Sequence, residues 1–212
     1  MKKKHPIESL IEQGEHQQLD FKFEVTDSKK IARTLSAFAN TDGGRLLIGV
    51  KDNGNISGVR SDEEYYMIEA ASRMYTRPEV PFEATRWEIN GKTVLEIYIA
   101  PSNEKPHSAP DKDDKYKAYI RVADENILAN DVLYLAWQKR QKPDGTLLRI
   151  SKPVERLFDY LDSHPVISTG QFCRVGRINY YTAKNILSDL LAINAMQYVV
   201  IDKHIMYKRV PE

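Results

Sequence analysis

Residues 35–59, LSAFANTDGGRLLIGVKDNGNISGV, decide the fold. Ile31, Leu35 and Phe38 fall at i, i+4 and i+7 and mark one helical face, with the small Ala32, Ser36 and Ala39 beside them for close packing. Gly43 and Gly44 then break the helix. Leu46, Leu47, Ile48 and Val50 follow as a run apolar on both faces, which predicts a strand covered on both sides. Asp52-Asn53-Gly54-Asn55 are turn-formers, so Ile56 to Val59 is expected to return as a partner strand.

Working outward, Leu19 to Val25 alternates apolar and polar residues as a strand does, and a helix is expected from about Ser28. Beyond the central block come a helix from Asp62 through Arg73 and strands near Phe82 to Ile89 and Thr93 to Ile99, joined by the hairpin turn Asn90-Gly91. A strand at Lys117 to Val122 and a helix at Asp131 to Lys139 close the module. The class is therefore α+β. Polar, helix-breaking punctuation at Gln141-Lys142-Pro143-Asp144-Gly145 and Ser151-Lys152-Pro153 places a boundary there, giving domains at 1–142 and 150–212.

The second module starts with an amphipathic helix, Val154, Leu157, Phe158 and Leu161, ended by His164-Pro165. Ser168 or Thr169 can cap a short helix over Gln171 to Val175, and Asn179 can cap a third from Tyr180 to about Ile193. Gln197 to Ile201 and Ile205 to Lys208 read as a β-hairpin. Three helices and a hairpin resemble a winged helix-turn-helix. On that reading Tyr181, Lys184 and Asn185 lie on the less apolar surface of the third helix, with Arg177 before it and Lys203 at the hairpin tip. Lysine and arginine neutralise phosphate, while tyrosine and asparagine reach base edges or backbone oxygens. A solvated helix face or a protein-binding module accounts for the same residues.

With 42% hydrophobic and 29% charged residues, the 212-residue chain can bury a sizeable core. Cys173 is the single cysteine, which excludes a disulfide framework and points to a reducing, cytoplasmic setting. Met1-Lys2-Lys3-Lys4 is basic, but no apolar stretch of signal or membrane-spanning length follows, so a soluble protein without a membrane partner is expected. The net charge of +1 carries no message by itself. Between residues 171 and 210, however, Arg174, Arg177, Lys184, Lys203, Lys208 and Arg209 face only Asp189 and Asp202.

AFANTDGGRLLIGV followed by a polar turn and Gly58-Val59 resembles the hallmark of the Schlafen-type AlbA_2 domain family. Glu15 with Leu19-Asp20-Phe21-Lys22, the strand Val94 to Ile99, Lys105-Pro106-His107 and Tyr119-Ile120-Arg121-Val122 resemble its other elements in order, over roughly residues 8 to 137. Ala123 stands where the family usually has glycine, which predicts a differently arranged loop. The resemblance implies a nucleic-acid-binding domain, to which Lys22 and Arg121 would contribute. In nuclease members it implies an acidic pair matching Glu15 and Asp20, with a third acid for which Asp52 is the nearest candidate beside Lys51. Such oxygen ligands would hold Mg²⁺ or Mn²⁺ and activate water. A solvated strand face and a turn-shaping Asp52 are the plainer alternative.

No G-x-x-x-x-G-K-[ST] or G-x-G-x-x-G loop is present, so ATP is not expected. His5, His16, His107, His164 and His204 are scattered without ligand spacing. The expectation is a nucleic-acid-binding transcriptional regulator, with DNA ahead of RNA, no cofactor, and compatibility with a homo-oligomer. A metal-dependent RNA endonuclease and a protein-interaction adaptor are the alternatives, and Mg²⁺ or Mn²⁺ belongs only to the first of these.

Overall fold

The computed structural model describes residues 5–211, and the basic start Met1–Lys4 lies outside them. It divides into two compact units, one ending at Leu128 and one beginning at Ala129. The first unit runs α1 (Pro6–Ile11), β1 (Leu19–Lys22), α2 (Ser28–Asn40), β2 (Gly44–Ile48), α3 (Glu63–Tyr75), β3 (Glu83–Ile89), β4 (Lys92–Ile99), β5 (Ser108–Pro110), β6 (Tyr116–Val122) and β7 (Glu125–Leu128). A four-stranded sheet has the order β1-β2-β4-β3, with β1 and β2 parallel and the other pairs antiparallel. A second, antiparallel sheet has the order β5-β6-β7.

The central block folds as its pattern dictates. Asp27 caps α2 by accepting from the backbone N–H groups of Lys29 and Lys30, and Ile31, Leu35 and Phe38 are buried in the core. Leu46 and Ile48 join them on one face of β2, while Leu47 packs with Leu19, Phe21 and Val94 on the other. The strand is covered on both sides, as its two-faced apolar run requires. Gly43 holds φ +69°, and a Cβ there would lie 2.6 Å from the Ile99 carbonyl oxygen. At Gly44 a Cβ would come within 2.6 Å of the Phe38 ring. The pair therefore ends the helix and brings strand backbone directly onto it.

α2 also carries the second sheet. Ser36 Oγ donates to the His107 carbonyl at 2.8 Å, and the Asn40 amide donates to the carbonyls of His107 and Tyr119 at 2.8 and 2.9 Å. Asn40 Oδ1 accepts from His107 N–H, and Thr41 Oγ1 accepts from Arg121 N–H, each at 2.8 Å.

Two local expectations are corrected. β1 stops at Lys22 rather than Val25, because its partner β2 ends at Ile48 and Gly49 turns the chain with φ +88°. Ile56 to Val59 forms no strand; only the single bridge Val50 to Ile56 is made. Ala123 takes φ +53°, the left-handed conformation glycine would favour, and its N–H donates to Gln17 Oε1 at 2.9 Å.

The second unit contains α4 (Asp131–Arg140), α5 (Lys152–Ser163), α6 (Thr169–Gly176), α7 (Tyr180–Ala192), β8 (Met196–Ile201) and β9 (His204–Arg209). β8 and β9 pair antiparallel across Asp202 and Lys203, both at positive φ, as a two-residue hairpin turn demands. Ile167 adds a one-residue bridge to Tyr207 through two backbone hydrogen bonds of 2.8 and 2.9 Å. Leu157, Ile167, Phe172, Leu187, Leu190 and Tyr207 are among its buried side chains. The expected boundary at 142–150 falls too late. α4 packs on α7, so the division precedes it, and the punctuation at 141–151 is a connection within the second unit. Among the described residues no helix is long and apolar enough to cross a membrane.

A left-handed alanine costs roughly 1–2 kcal/mol, partly offset in glycine by its greater freedom when unfolded. Ala123→Gly is therefore expected to raise unfolding stability by about 0.5–1 kcal/mol in urea titration. A destabilised variant would show that the loop gains nothing from glycine's permissiveness.

Candidate nucleic-acid interface

In the second unit α6 and α7 are joined by only Arg177, Ile178 and Asn179. Arg177 makes the turn by adopting φ +55° at the end of α6, and Asn179 caps α7 by accepting from Thr182 N–H at 2.8 Å. The buried stripe Ala183, Leu187, Leu190 and Leu191 fixes which face of α7 remains outside the core. Tyr181 is 70% exposed on that side. Arg174 and Arg177 are exposed close by in the chain, and their guanidinium groups make no ion pair among the described residues. Lys203 is exposed in the β8–β9 turn.

The rest of the expected recognition surface is occupied by α4. Asp131, in its first turn, accepts a 2.6 Å hydrogen bond from the Tyr180 hydroxyl and lies 3.6 Å from Lys184 Nζ. That bond, followed by burial, pushes the Tyr180 hydroxyl up to about 12. Lys184 also lies over the Tyr181 ring, 5.5 Å from its centroid. Further along, Lys139 Nζ donates to Asn185 O, Ser188 Oγ and Asp189 Oδ1 at 3.1, 2.8 and 2.6 Å. Arg140 donates to the Leu191 carbonyl and the Asn194 side chain, so one α4 cation satisfies the carbonyl end of α7. Asn185 turns its amide back to the Tyr181 carbonyl at 3.0 Å. The expected set therefore separates: Arg177 and Tyr181 are presented, whereas Lys184 and Asn185 are engaged within the unit. Arg174 belongs beside the presented pair. Its position one helical turn before Arg177 was visible in the sequence, but nothing there distinguished it from other surface arginines.

Of the acidic candidates of the first unit, Glu15 and Asp20 come together and Asp52 does not join them. Asp20 is only 4% exposed; its Oδ1 accepts from Arg121 Nη2 at 3.0 Å, and its Oδ2 lies 2.8 Å from Lys22 Nζ. Glu15 Oε1 accepts from Phe21 N–H at 2.8 Å. Burial raises the Glu15 pKa, and the Asp20 carboxylate adds to the rise despite the Phe21 bond. Asp52 is exposed in the turn closed by Gly54 N–H to Lys51 O. Among the described residues no three His, Cys, Asp or Glu side chains form a group able to hold a metal. The Glu15, Asp20 and Asp52 set thus does not fit Mg²⁺ or Mn²⁺: one carboxylate is held by two cations and the third acid stands apart. Arg121 is 2% exposed, stacked 5.2 Å from the Phe38 ring centroid, and out of reach of nucleic acid. Lys22 is half-buried and keeps a solvent-facing side beside Asp20.

A family model described as Schlafen, AlbA_2 matches residues 15–130 and ends immediately before α4. No curated protein matches the chain at a significant level. Among solved structures, the DIP2311 protein from Corynebacterium diphtheriae is 24% identical with a TM-score of 0.45, over 59% of this chain. This chain spans 27% of that one. The N-terminal domain of a RecG-related protein from Nitrosomonas europaea is 18% identical with a TM-score of 0.35, over 57% of this chain and 89% of that domain.

Asp131→Asn keeps the shape of the acceptor and removes its charge. The Tyr180 hydroxyl should then titrate well below about 12, toward the ordinary tyrosine range, as read from its ring ¹³Cζ shift in alkaline titration. An unchanged titration would show that Asp131 does not hold Tyr180.

Proposed function

This chain belongs to the Schlafen AlbA_2 family, and on that premise we propose that it is a nucleic-acid-binding transcriptional regulator whose second unit docks on duplex DNA as a winged helix. The observation that carries the reading is the tight α6–α7 corner. Two helices joined by three residues, followed by a hairpin whose second strand also pairs with Ile167, have the connectivity of a helix-turn-helix with a wing. The corner presents Arg174, Arg177 and Tyr181 together, and the Asp202-Lys203 turn forms the tip of the wing.

The contact is electrostatic first and specific second. Each arginine at the corner would neutralise a backbone phosphate and release its counterion. Tyr181, with a large exposed ring at the start of α7, would meet sugar or base edges in the groove. Lys184 would stay with Asp131 and add little, because its ammonium already has a carboxylate partner. The interface on this account is the N-terminal corner of α7 rather than its length.

The test is anisotropy of labelled duplex DNA with the full chain at several salt concentrations. Arg177→Ala should weaken binding and reduce the slope of log K against log salt by about one. Tyr181→Ala should weaken binding without changing that slope, and Lys184→Ala should have the smallest effect of the three. Failure of the folded chain to bind duplex DNA would reject the reading in favour of an adaptor. Shortened RNA in a parallel incubation with Mn²⁺ would favour the endonuclease.

A further inference from the structure

We propose that the first unit holds a second, separate anion site, a cleft between the β1–α2 connection and the β6–β7 sheet that takes a phosphate ester. The open cleft has a volume of about 420 Å³, and its polar lining includes Lys22, Lys30, Arg33, Tyr119 and Asn126 together with the carboxylates Glu24 and Asp27. That volume lies within the usual ~300–1,000 Å³ of small-ligand sites.

Three cations and two carboxylates line the cleft; Lys22 Nζ already lies 2.8 Å from Asp20 Oδ2 and the Asp27 carboxylate accepts from the first N–H groups of α2, which leaves Lys30 and Arg33 as the cations that can meet an anion. Arg33 is anchored through Nε to the Pro110 carbonyl at 2.7 Å, which holds its guanidinium in place and leaves its terminal nitrogens for a ligand. Lys30 is exposed at the border. Behind the wall, Arg121 Nη1 donates to Asn126 Oδ1 at 3.2 Å, and Asn126 in turn donates to Thr34 Oγ1 at 2.9 Å. This relay fixes the Asn126 amide with its nitrogen toward Thr34, a donor end at the cleft wall. Buried Arg121 thereby acts as a positioning residue.

Tyr119 supplies the remaining feature. It is 7% exposed yet lines the cleft, and burial raises its hydroxyl pKa, so it remains a neutral donor. A compact anion meeting one arginine, one lysine, an amide and a phenol matches phosphate chemistry, with an apolar shelf of Val25 and Ile31 for the attached organic group. The phosphate ester can be presented by a single nucleic-acid strand or by a free nucleotide. No part of the site uses the second unit, so it stands or falls apart from the α7 reading.

The experiment follows backbone and side-chain amide signals of the ¹⁵N-labelled full chain during titration with inorganic phosphate, adenosine 5′-monophosphate and a short oligothymidylate. Saturable shifts at Thr34 and the Asn126 side chain are expected with at least one phosphate ester. Oligothymidylate alone would identify a polymer as the source, and the monophosphate a free nucleotide. Lys30→Gln and Arg33→Gln should each weaken that binding roughly tenfold, as expected for loss of one charge-assisted contact. Lys30 is exposed, so its variant keeps the fold and the test remains decisive if Arg33→Gln is destabilised. Arg177→Ala should leave the cleft shifts intact. The proposal is overturned if no probe shifts the cleft, if Lys30→Gln binds as the wild type does, or if Arg177→Ala removes the cleft shifts.

Discussion

The Asn40 side chain is the constraint on which the first unit depends. Sitting at the last turn of α2 with 1% exposure, it joins the helix to the backbone of two segments more than sixty residues away in sequence. A buried amide is costly unless its donors and acceptor are paired, and here both are. Ser36 and Thr41 extend the same seam, so the polar side of α2 replaces strand edges as a partner for the second sheet. Its apolar side meanwhile meets β2 and α3. One helix thus serves two sheets, which explains why every residue from Thr34 to Asn40 is buried.

The seam determines where the charged residues end up. Thr41 fixes the backbone of Arg121, which places its guanidinium against Asp20 across β1. A buried pair of this kind contributes little net stability, but removing one partner typically costs about 3–5 kcal/mol because the other charge is stranded. Asp20 is therefore committed to holding β1 against β6. Among the described residues no three carboxylates come together, and Asp20 is engaged by Arg121 and Lys22.

Much of this was legible in the sequence. The doubled apolar face of Leu46 to Ile48, the Gly43-Gly44 break and the Asn90-Gly91 turn are local signals, and they fold as read. The α5, α6 and α7 helices and the hairpin follow their periodicity in the same way. What failed was long-range. Arg121 in Tyr-Ile-Arg-Val reads as an exposed strand cation, and only its pairing with Asp20, a hundred residues earlier, buries it. Asp131 to Lys139 reads correctly as a helix, but its pattern does not reveal which neighbour it packs on. Proline and glycine at 143 and 145 marked a real interruption and suggested the wrong side for α4. Asp52 was drawn toward Glu15 and Asp20 by resemblance alone, without spacing that required it.

The placement of α4 narrows the candidate interface of the second unit to the α6–α7 corner. Its Asp131 carboxylate takes the position near Lys184 and Tyr180 that a phosphate would otherwise contest, while Lys139 is engaged along the middle of α7 and Arg140 at its carbonyl end. Amide chemical-shift mapping of the full chain with duplex DNA tests this account most directly. The account requires the largest shifts at Arg174, Arg177, Tyr181 and the Asp202-Lys203 turn, with the α4-facing side of α7 little changed. Shifts centred on Lys184, Asn185 and α4, or none in the second unit, would contradict it.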